Sequence, residues 1–535
     1  MSLIAEPLGE SLPPRDSHAI SVSMPAWRDV VGYEENDAAT VDAMACGYPR
    51  FFRHPLVLEL EAFVRAQFFP SDAPEDWQFT ALPAEAPAAR FQSFMVDSNK
   101  GKVTSNQVTV HHIKQLAYIV RFPAAIQLTS RQFWQHSGEI VSSRQAQRLL
   151  SVLKAEKGGE AVDAGSIWGT PTHSEIRTRV ASQYVSKEDA PAVAKTVALY
   201  PTGMGAIFAA VRLLNQFRGG DAKSILFGFP YVDTLKILQR PEWCPKGVYF
   251  FPTCGEEELK QVEEIVAREK ILGIFTEFPS NPLLSLPDLR RLAKAAHANG
   301  TALVVDDTVG SYNVNAMKFN SADIVVTSLS KIFCGVGNVM GGSLVLNPES
   351  HIYDQLLDKL SPETDSFMFE DDVKAIAKSS ENLADRVART NANASVIANR
   401  LKTHPQVEKL FYAEFGDATA LYDPFLRDTA GDDANKPRYG PLLSILVRGG
   451  LPASKSFYDA LTIAKGPSLG TNFTLSCPYA ILAHYTELDF VESCGVDRNL
   501  IRISIGLEDV EVIWQDFEKA FAAAQASVAS SAGVQ

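Results

Sequence analysis

Two neighbouring runs concentrate the side chains able to do chemistry: Val304-Val-Asp-Asp-Thr308 and Asp323-Ile-Val-Val-Thr-Ser-Leu-Ser-Lys331. Each is a β-rich stretch that closes on polar residues, the first on carboxylates, the second on hydroxyls and an amine. In open α/β sheets ligands bind beyond the carboxyl ends of the strands, so the runs would aim Asp306, Ser328, Ser330 and Lys331 into one crevice. An amine, a carboxylate and hydroxyl donors in one place suit an aldehyde cofactor bearing a phosphate. The lysine would form a Schiff base, the aspartate would keep a ring nitrogen protonated so that the ring acts as an electron sink, and the hydroxyls would bind the phosphate. Taken alone, a strand ending in Ser-x-Ser-Lys reads as an unremarkable surface lysine; other segments must decide.

One such segment is Tyr200-Pro-Thr-Gly-Met-Gly-Ala-Ile207, where a strand stops, turns through Gly203 and opens an Ala-rich helix. A helix N-terminus presents unpaired N–H groups and the positive end of a dipole, a ready phosphate site, although by itself it could be only a helix cap. Tyr231, in Phe-Pro-Tyr-Val-Asp, follows the next strand and could stack on a planar ring or merely pack.

The elements that must position these residues are legible as alternation. From about 196 to 346, the β-rich runs TVALY, SILFGF, GVYFF, ILGIF, TALVVD, ADIVVT and GSLVL alternate with helical stretches, Ala206 to Phe217, Glu256 to Lys270 and Pro287 to Asn299. That pattern predicts an open α/β sheet with helices on both faces. Glu370 to about Thr403 reads as one amphipathic helical region joining two domains. Beyond it, strands near LLSILV and IRISIG and a helix at Val512 to Ala524 predict a smaller α+β domain, and the Ala/Ser-rich end from Gln525 to Gln535 is expected to fray. Residues 1 to about 165 carry aromatic clusters, Tyr48-Pro-Arg-Phe-Phe52 and Phe133-Trp134, expected to pack in an ordered but unnamed fold.

The ordered set Thr202-Gly-Met204, Tyr231, Glu277-Phe-Pro-Ser-Asn-Pro282, Val305-Asp-Asp-Thr308, Ser328-Leu-Ser-Lys331, Ser468-Leu-Gly470 and Ile501-Arg-Ile-Ser-Ile-Gly-Leu-Glu508 resembles the Cys/Met-metabolism family of pyridoxal-phosphate enzymes, most of all its fungal-type cystathionine γ-synthases. The resemblance covers roughly residues 196 to 520. It implies the aspartate aminotransferase-like fold (fold type I): an N-terminal extension over 1–165, a cofactor-binding large domain with a mostly parallel sheet over 166–384, and a small α+β domain over 385–535. It also implies pyridoxal 5'-phosphate as cofactor, with phosphate contacts on Gly203, Met204, Ser328 and Ser330 and ring stacking on Tyr231. Asp306 would lie at the pyridine nitrogen, Asn281 near the ring hydroxyl, and the Schiff base on Lys331. Arg502 and Ser468 would hold the substrate α-carboxylate, a task suited to the planar fork of an arginine, whose alternative reading is a surface ion pair.

Three departures bear on the transfer. Bacterial members carry a Tyr-x-Arg segment that reaches the neighbouring subunit's phosphate site; the nearest match is taken as Ser142-Ser-Arg144, which lacks the tyrosine, so Arg144 is the candidate. The usual SLGGxES stretch reads Ser468-Leu-Gly-Thr-Asn-Phe-Thr474, with Thr471 and Phe473 near the expected substrate pocket. The N-terminal region is far longer than in bacterial relatives, though fungal-type enzymes are extended there too.

The implied reaction is γ-replacement on O-acetyl-L-homoserine, with cysteine thiol as nucleophile and cystathionine as product; Lys331 is the base, and Tyr231 assists the leaving group. The rivals are a carbon nucleophile such as a β-keto acid in specialised biosynthesis, a lyase acting on cystathionine, and, from another class, a relative that holds the cofactor without turnover. A homodimer or homotetramer is implied by resemblance.

Composition sets the outer bounds. The chain has 535 residues, 46% hydrophobic and 21% charged, enough for two or three cored domains. A net charge of −13 disfavours nucleic acid and anionic membranes as partners. The six cysteines form no CxxC pair and read as free thiols, and His111 and His112 read as a polar surface pair in preference to a metal site. The N-terminus lacks the regions of a signal peptide, and no run approaches a membrane span, so a cytoplasmic enzyme is expected.

Overall fold

The computed structural model describes residues 2–70, 76–113, 117–157, 169–360, 366–416, 419–427 and 437–532. The expected boundary near 165 lies outside them.

The described residues of the N-terminal part divide between two neighbours. Strands β1 (Ser11–Leu12) and β2 (Ser21–Val22) pair antiparallel, and a helix follows at Trp27–Glu35. Val22, Met24, Trp27 and Val30 are buried in one cluster with Phe457, Tyr458 and Phe517 of the C-terminal part. After the Tyr48–Phe52 turn, strands β3 (Trp77–Leu82), β4 (Thr109–Ile113) and β5 (Ala117–Pro123) form an antiparallel sheet in the order β3-β5-β4. Helices Pro55–Phe68, Glu85–Asp97, Gln127–Ser137 and Ser143–Lys157 accompany it. His111 and His112 are consecutive on β4, so they face opposite sides, where His111 meets Phe69 edge-on and His112 stacks on Tyr118.

All seven β-rich runs become strands of one sheet: β6 (Ala198–Tyr200), β7 (Lys223–Phe227), β8 (Val248–Phe251), β9 (Ile271–Glu277), β10 (Ala302–Asp306), β11 (Ile324–Ser328) and β12 (Gly342–Leu346). Their order is β6-β12-β11-β10-β9-β7-β8. From β11 through β8 neighbours run parallel, and β12 alone lies antiparallel to both its neighbours. Every residue of β9 is buried, as expected of a parallel strand covered on both faces. This is the mostly parallel α/β architecture expected from the sequence.

The helical region expected as one piece is two helices, Glu370–Ser379 and Leu383–Thr403. The break falls at Ser380, whose hydroxyl turns back to bond Ile376 O at 2.7 Å while Arg179 Nη1 donates to it at 2.7 Å. A second sheet follows, in the order β13-β14-β17-β16-β15: β13 (Val407–Phe411), β14 (Leu442–Val447), β15 (Ala464–Lys465), β16 (Leu475–Pro478) and β17 (Ile501–Ser504). The last helix runs from Val510 to Ala532, so the tail expected to fray is helical that far, and residues 533–535 lie outside the described residues. No helix among the described residues is long and apolar enough to cross a membrane.

Candidate active site

Three elements of the central sheet end at one cavity of about 940 Å³. β10 delivers Asp306 and β9 delivers Glu277; these residues are register partners, so two carboxylates stand side by side. β11 ends on Ser328, and the chain bends directly into Ser330 and Lys331. The helix Gly203–Arg218 begins at the same place, with Thr202 as its cap accepting from Gly205 N at 2.9 Å. That cap leaves the N–H groups of Gly203 and Met204 without a hydrogen bond among the described residues, at the positive end of the helix. Gly203 has to be glycine, because a Cβ there would come within 2.7 Å of Ser328 Cβ.

The second sheet supplies the opposite wall. Arg502, on β17, donates from Nη1 to Asn281 Oδ1 at 2.9 Å and from Nη2 to Ser468 O at 2.7 Å. Asn281 N in turn donates to Glu277 Oε2 at 2.9 Å. Lys331 Nζ donates to Ser468 Oγ at 2.7 Å. Ser468 is held at a φ of 90° and is followed by Gly470 at 70°, where a Cβ would lie 2.6 Å from Ile332 N. That close approach fixes the loop against the segment carrying the lysine. Thr471 and Phe473, the two departures in this stretch, turn away from the cavity: Thr471 Oγ1 bonds Phe473 O at 2.6 Å, and Phe473 is buried with Leu12, Ala464 and Leu475.

Burial dominates the electrostatics. It lowers the Lys331 amine from its usual range, with Arg502 and Arg50 adding to the effect and Tyr48 opposing it. Burial together with the charge of Asp306 pushes Glu277 up to about 8, and burial raises Asp306 as well. Behind the site Asp307 faces the other way, taking Thr327 Oγ1 at 2.5 Å and Tyr184 OH at 2.9 Å, and burial pushes it up to about 7.

The N-terminal part forms the outer wall and contributes two residues that the sequence reading passed over. Tyr48 places its ring 4.5 Å from Lys331 Nζ. Arg50 donates to the Tyr231 hydroxyl and forms an ion pair with Asp233 at 2.7 Å, with both side chains almost wholly buried. Burial raises the Tyr48 phenol, but Lys331 and Arg50 together outweigh it and hold the phenol below its usual range. These are the first and third positions of Tyr48-Pro-Arg50, read from sequence only as aromatic packing. The Tyr-x-Arg spacing was there to be found.

Arg144 lies apart from this group. It does not line the cavity; its Nη1 donates to Asn338 O at 2.7 Å and lies 3.5 Å from Asp372 Oδ1. The other candidates, Gly203, Met204, Tyr231, Asn281, Asp306, Ser328, Ser330, Lys331, Ser468 and Arg502, all line one cavity.

The residues present fit pyridoxal phosphate. The free N–H groups of Gly203 and Met204 and the hydroxyls of Ser328 and Ser330 line one cavity and could together hold a phosphate. The Ser330 oxygen accepts from Gly341 N at 3.0 Å, and its proton has only a long contact of 3.4 Å with Gly341 O. Asp306 is the buried carboxylate suited to a protonated ring nitrogen, and Lys331 is the amine for the aldehyde.

Comparison with known proteins agrees. Residues 166–522 match the family described as Cys/Met metabolism PLP-dependent enzyme. A cystathionine gamma-synthase of Neurospora crassa is 34% identical, the match spanning 97% of this chain and 98% of the relative. A cystathionine gamma-synthase-like enzyme, iboG2, of Amanita muscaria is 32% identical over 97% of each. Among solved structures, a cystathionine gamma synthase of Xanthomonas oryzae pv. oryzae superposes with a TM-score of 0.56 at 22% identity, covering 67% of this chain and 87% of that one.

Proposed function

Because the chain belongs to the Cys/Met metabolism family of pyridoxal-phosphate-dependent enzymes, we propose that it catalyses γ-replacement on O-acetyl-L-homoserine, with the thiol of L-cysteine as nucleophile and cystathionine as product. The observation that carries this reading is the convergence of Lys331, Asp306, the Arg502–Asn281–Ser468 set and the Gly203 helix terminus on one cavity.

When bound, pyridoxal phosphate supplies an aldehyde for an amine and a protonated ring that spreads negative charge from the neighbouring carbons. Gly203, Met204, Ser328 and Ser330 would hold its phosphate, Asp306 would keep its ring nitrogen protonated, and Asn281 and Tyr231 would bind its ring. Arg502 takes the substrate α-carboxylate, and Ser468 orients it. The Lys331 amine, lowered by burial, takes the proton from the substrate Cα and returns one later. Tyr48, over whose ring Lys331 Nζ sits, exchanges that proton, and Tyr231 assists departure of acetate at Cγ. Arg50 replaces Arg144 as the arginine of the cofactor site, orienting Tyr231 through its hydroxyl.

The division into 1–165, 166–384 and 385–535 is kept as a working proposal, with residues 19–46 packed into the core of the last part. The test is product identification by mass after incubation with O-acetyl-L-homoserine and either cysteine or acetoacetate. Cystathionine formed with cysteine supports the reading. A new carbon–carbon product formed only with acetoacetate would favour the specialised-biosynthesis alternative. No acetate release in either mixture would overturn both.

A further inference from the structure

At the end of the central sheet remote from the cavity, His297, Asp323 and His351 converge, and we propose that they bind a divalent transition metal of the zinc class. Asp323 immediately precedes β11, whose far end carries Ser328 into the active site. Five strand residues at about 3.3 Å each put the two places about 16 Å apart. His297 lies in the last turn of helix Leu289–Ala298, and His351 follows β12.

The geometry is that of a partly assembled metal site. One ligand atom from each residue lies within 4.8 Å of the others, and this is the one such group of three among the described residues. His297 Nε2 stands 3.1 Å from Asp323 Oδ2, and His351 Nδ1 stands 3.6 Å from Asp323 Oδ1. Ligand atoms about 2.0–2.2 Å from a tetrahedral ion lie roughly 3.3–3.5 Å from each other, so small side-chain rotations suffice.

The carboxylate is already oriented. Asp323 is wholly buried, Leu303 N donates to Oδ2 at 2.8 Å, and Ser350 Oγ donates to Oδ1 at 2.5 Å. Each carboxylate oxygen has a second lone pair, so these bonds leave room for a metal while fixing its direction. The imidazoles are 21% and 33% exposed, which gives an ion an entry path and leaves a position for water. Two imidazoles and one carboxylate select zinc, nickel or copper over magnesium and calcium, which prefer oxygen ligands. Binding takes the ring nitrogens as neutral donors, so the proton that His297 Nε2 shares with Asp323 leaves to solvent or to the other ring nitrogen. None of the three residues lines the active-site cavity.

The full-length holoenzyme should bind one equivalent of Zn²⁺ by calorimetry, and its unfolding temperature should rise with added Zn²⁺. His297→Ala and His351→Ala should each weaken that binding at least tenfold and abolish the thermal shift, with turnover at the active site unchanged. Co²⁺ in place of Zn²⁺ should give ligand-field bands without a thiolate charge-transfer band. Failure of the wild type to take up stoichiometric Zn²⁺ would overturn the proposal. So would retention of wild-type affinity by both variants, or a Co²⁺ thiolate band placing the ion on a cysteine.

Discussion

Arg50 Nη2 lies 2.7 Å from Asp233 Oδ2, with side chains 2% and 1% exposed, and this pair ties the N-terminal segment to the helix that follows Tyr231. Burial alone would lower the arginine, but Tyr231, Asp233 and Tyr48 more than offset it, so Arg50 stays charged. A pair this deep is costly to break, because the remaining charge has no water to replace its partner. Asp233→Ala should therefore destabilise the protein by about 3–5 kcal/mol. Chemical denaturation checks this, and a loss below about 1 kcal/mol, typical of exposed pairs, would contradict it.

The same pair predicts that each site is completed within one chain. Tyr48 and Arg50 reach the cavity built by their own chain, so a preparation refolded from a mixture of Arg50→Ala and Lys331→Ala chains should remain inactive. Recovery of about a quarter of the activity is what random pairing of dimers yields if each chain lends its segment to a neighbour.

Tyr48 should set the pH at which Lys331 becomes nucleophilic. The neutral amine attacks an aldehyde, so the rate at which apoprotein takes up pyridoxal phosphate should rise with pH and level off at the Lys331 pKa, below that of a free lysine. Tyr48 is the group that raises this pKa against burial and the two arginines. Tyr48→Phe should thus move the plateau to lower pH, and Arg502→Ala should move it to higher pH. Stopped-flow absorbance reads both, and shifts in the same direction would refute the assignment.

Arg502→Ala should raise the KM for the amino-acid substrate by about 10–100-fold, the worth of roughly 1.5–3 kcal/mol for hydrogen bonds to a charged group. The visible spectrum of the bound cofactor should be intact. Loss of cofactor at unchanged KM would reassign Arg502 to the cofactor.

Much of this was legible in the sequence. The strand runs survive because a parallel sheet covered on both faces leaves its strands as unbroken apolar stretches ending on polar residues, and Asp306, Ser328 and Lys331 are those ends. Less legible was whatever depends on chain segments far apart in sequence. Tyr48 and Arg50 meet Lys331 and Asp233 across more than 180 residues, and their spacing sat within an aromatic cluster that packing alone explained. Glu277 is visible in the sequence only as the first residue of the Glu277-Phe-Pro-Ser-Asn-Pro282 run, and only the register with Asp306 makes it a second buried carboxylate. The break at Ser380 was hidden by an apolar periodicity that continues across it. The helix there is interrupted by a side chain bonding to the preceding turn, which hydrophobic spacing does not register.

The most direct test of the account is to reduce the holoenzyme with borohydride, digest it, and locate the pyridoxyl group by peptide mass. The label should fall on the peptide containing Lys331, with no label there in Lys331→Ala. Recovery of the label on another lysine of the unmodified chain would contradict it.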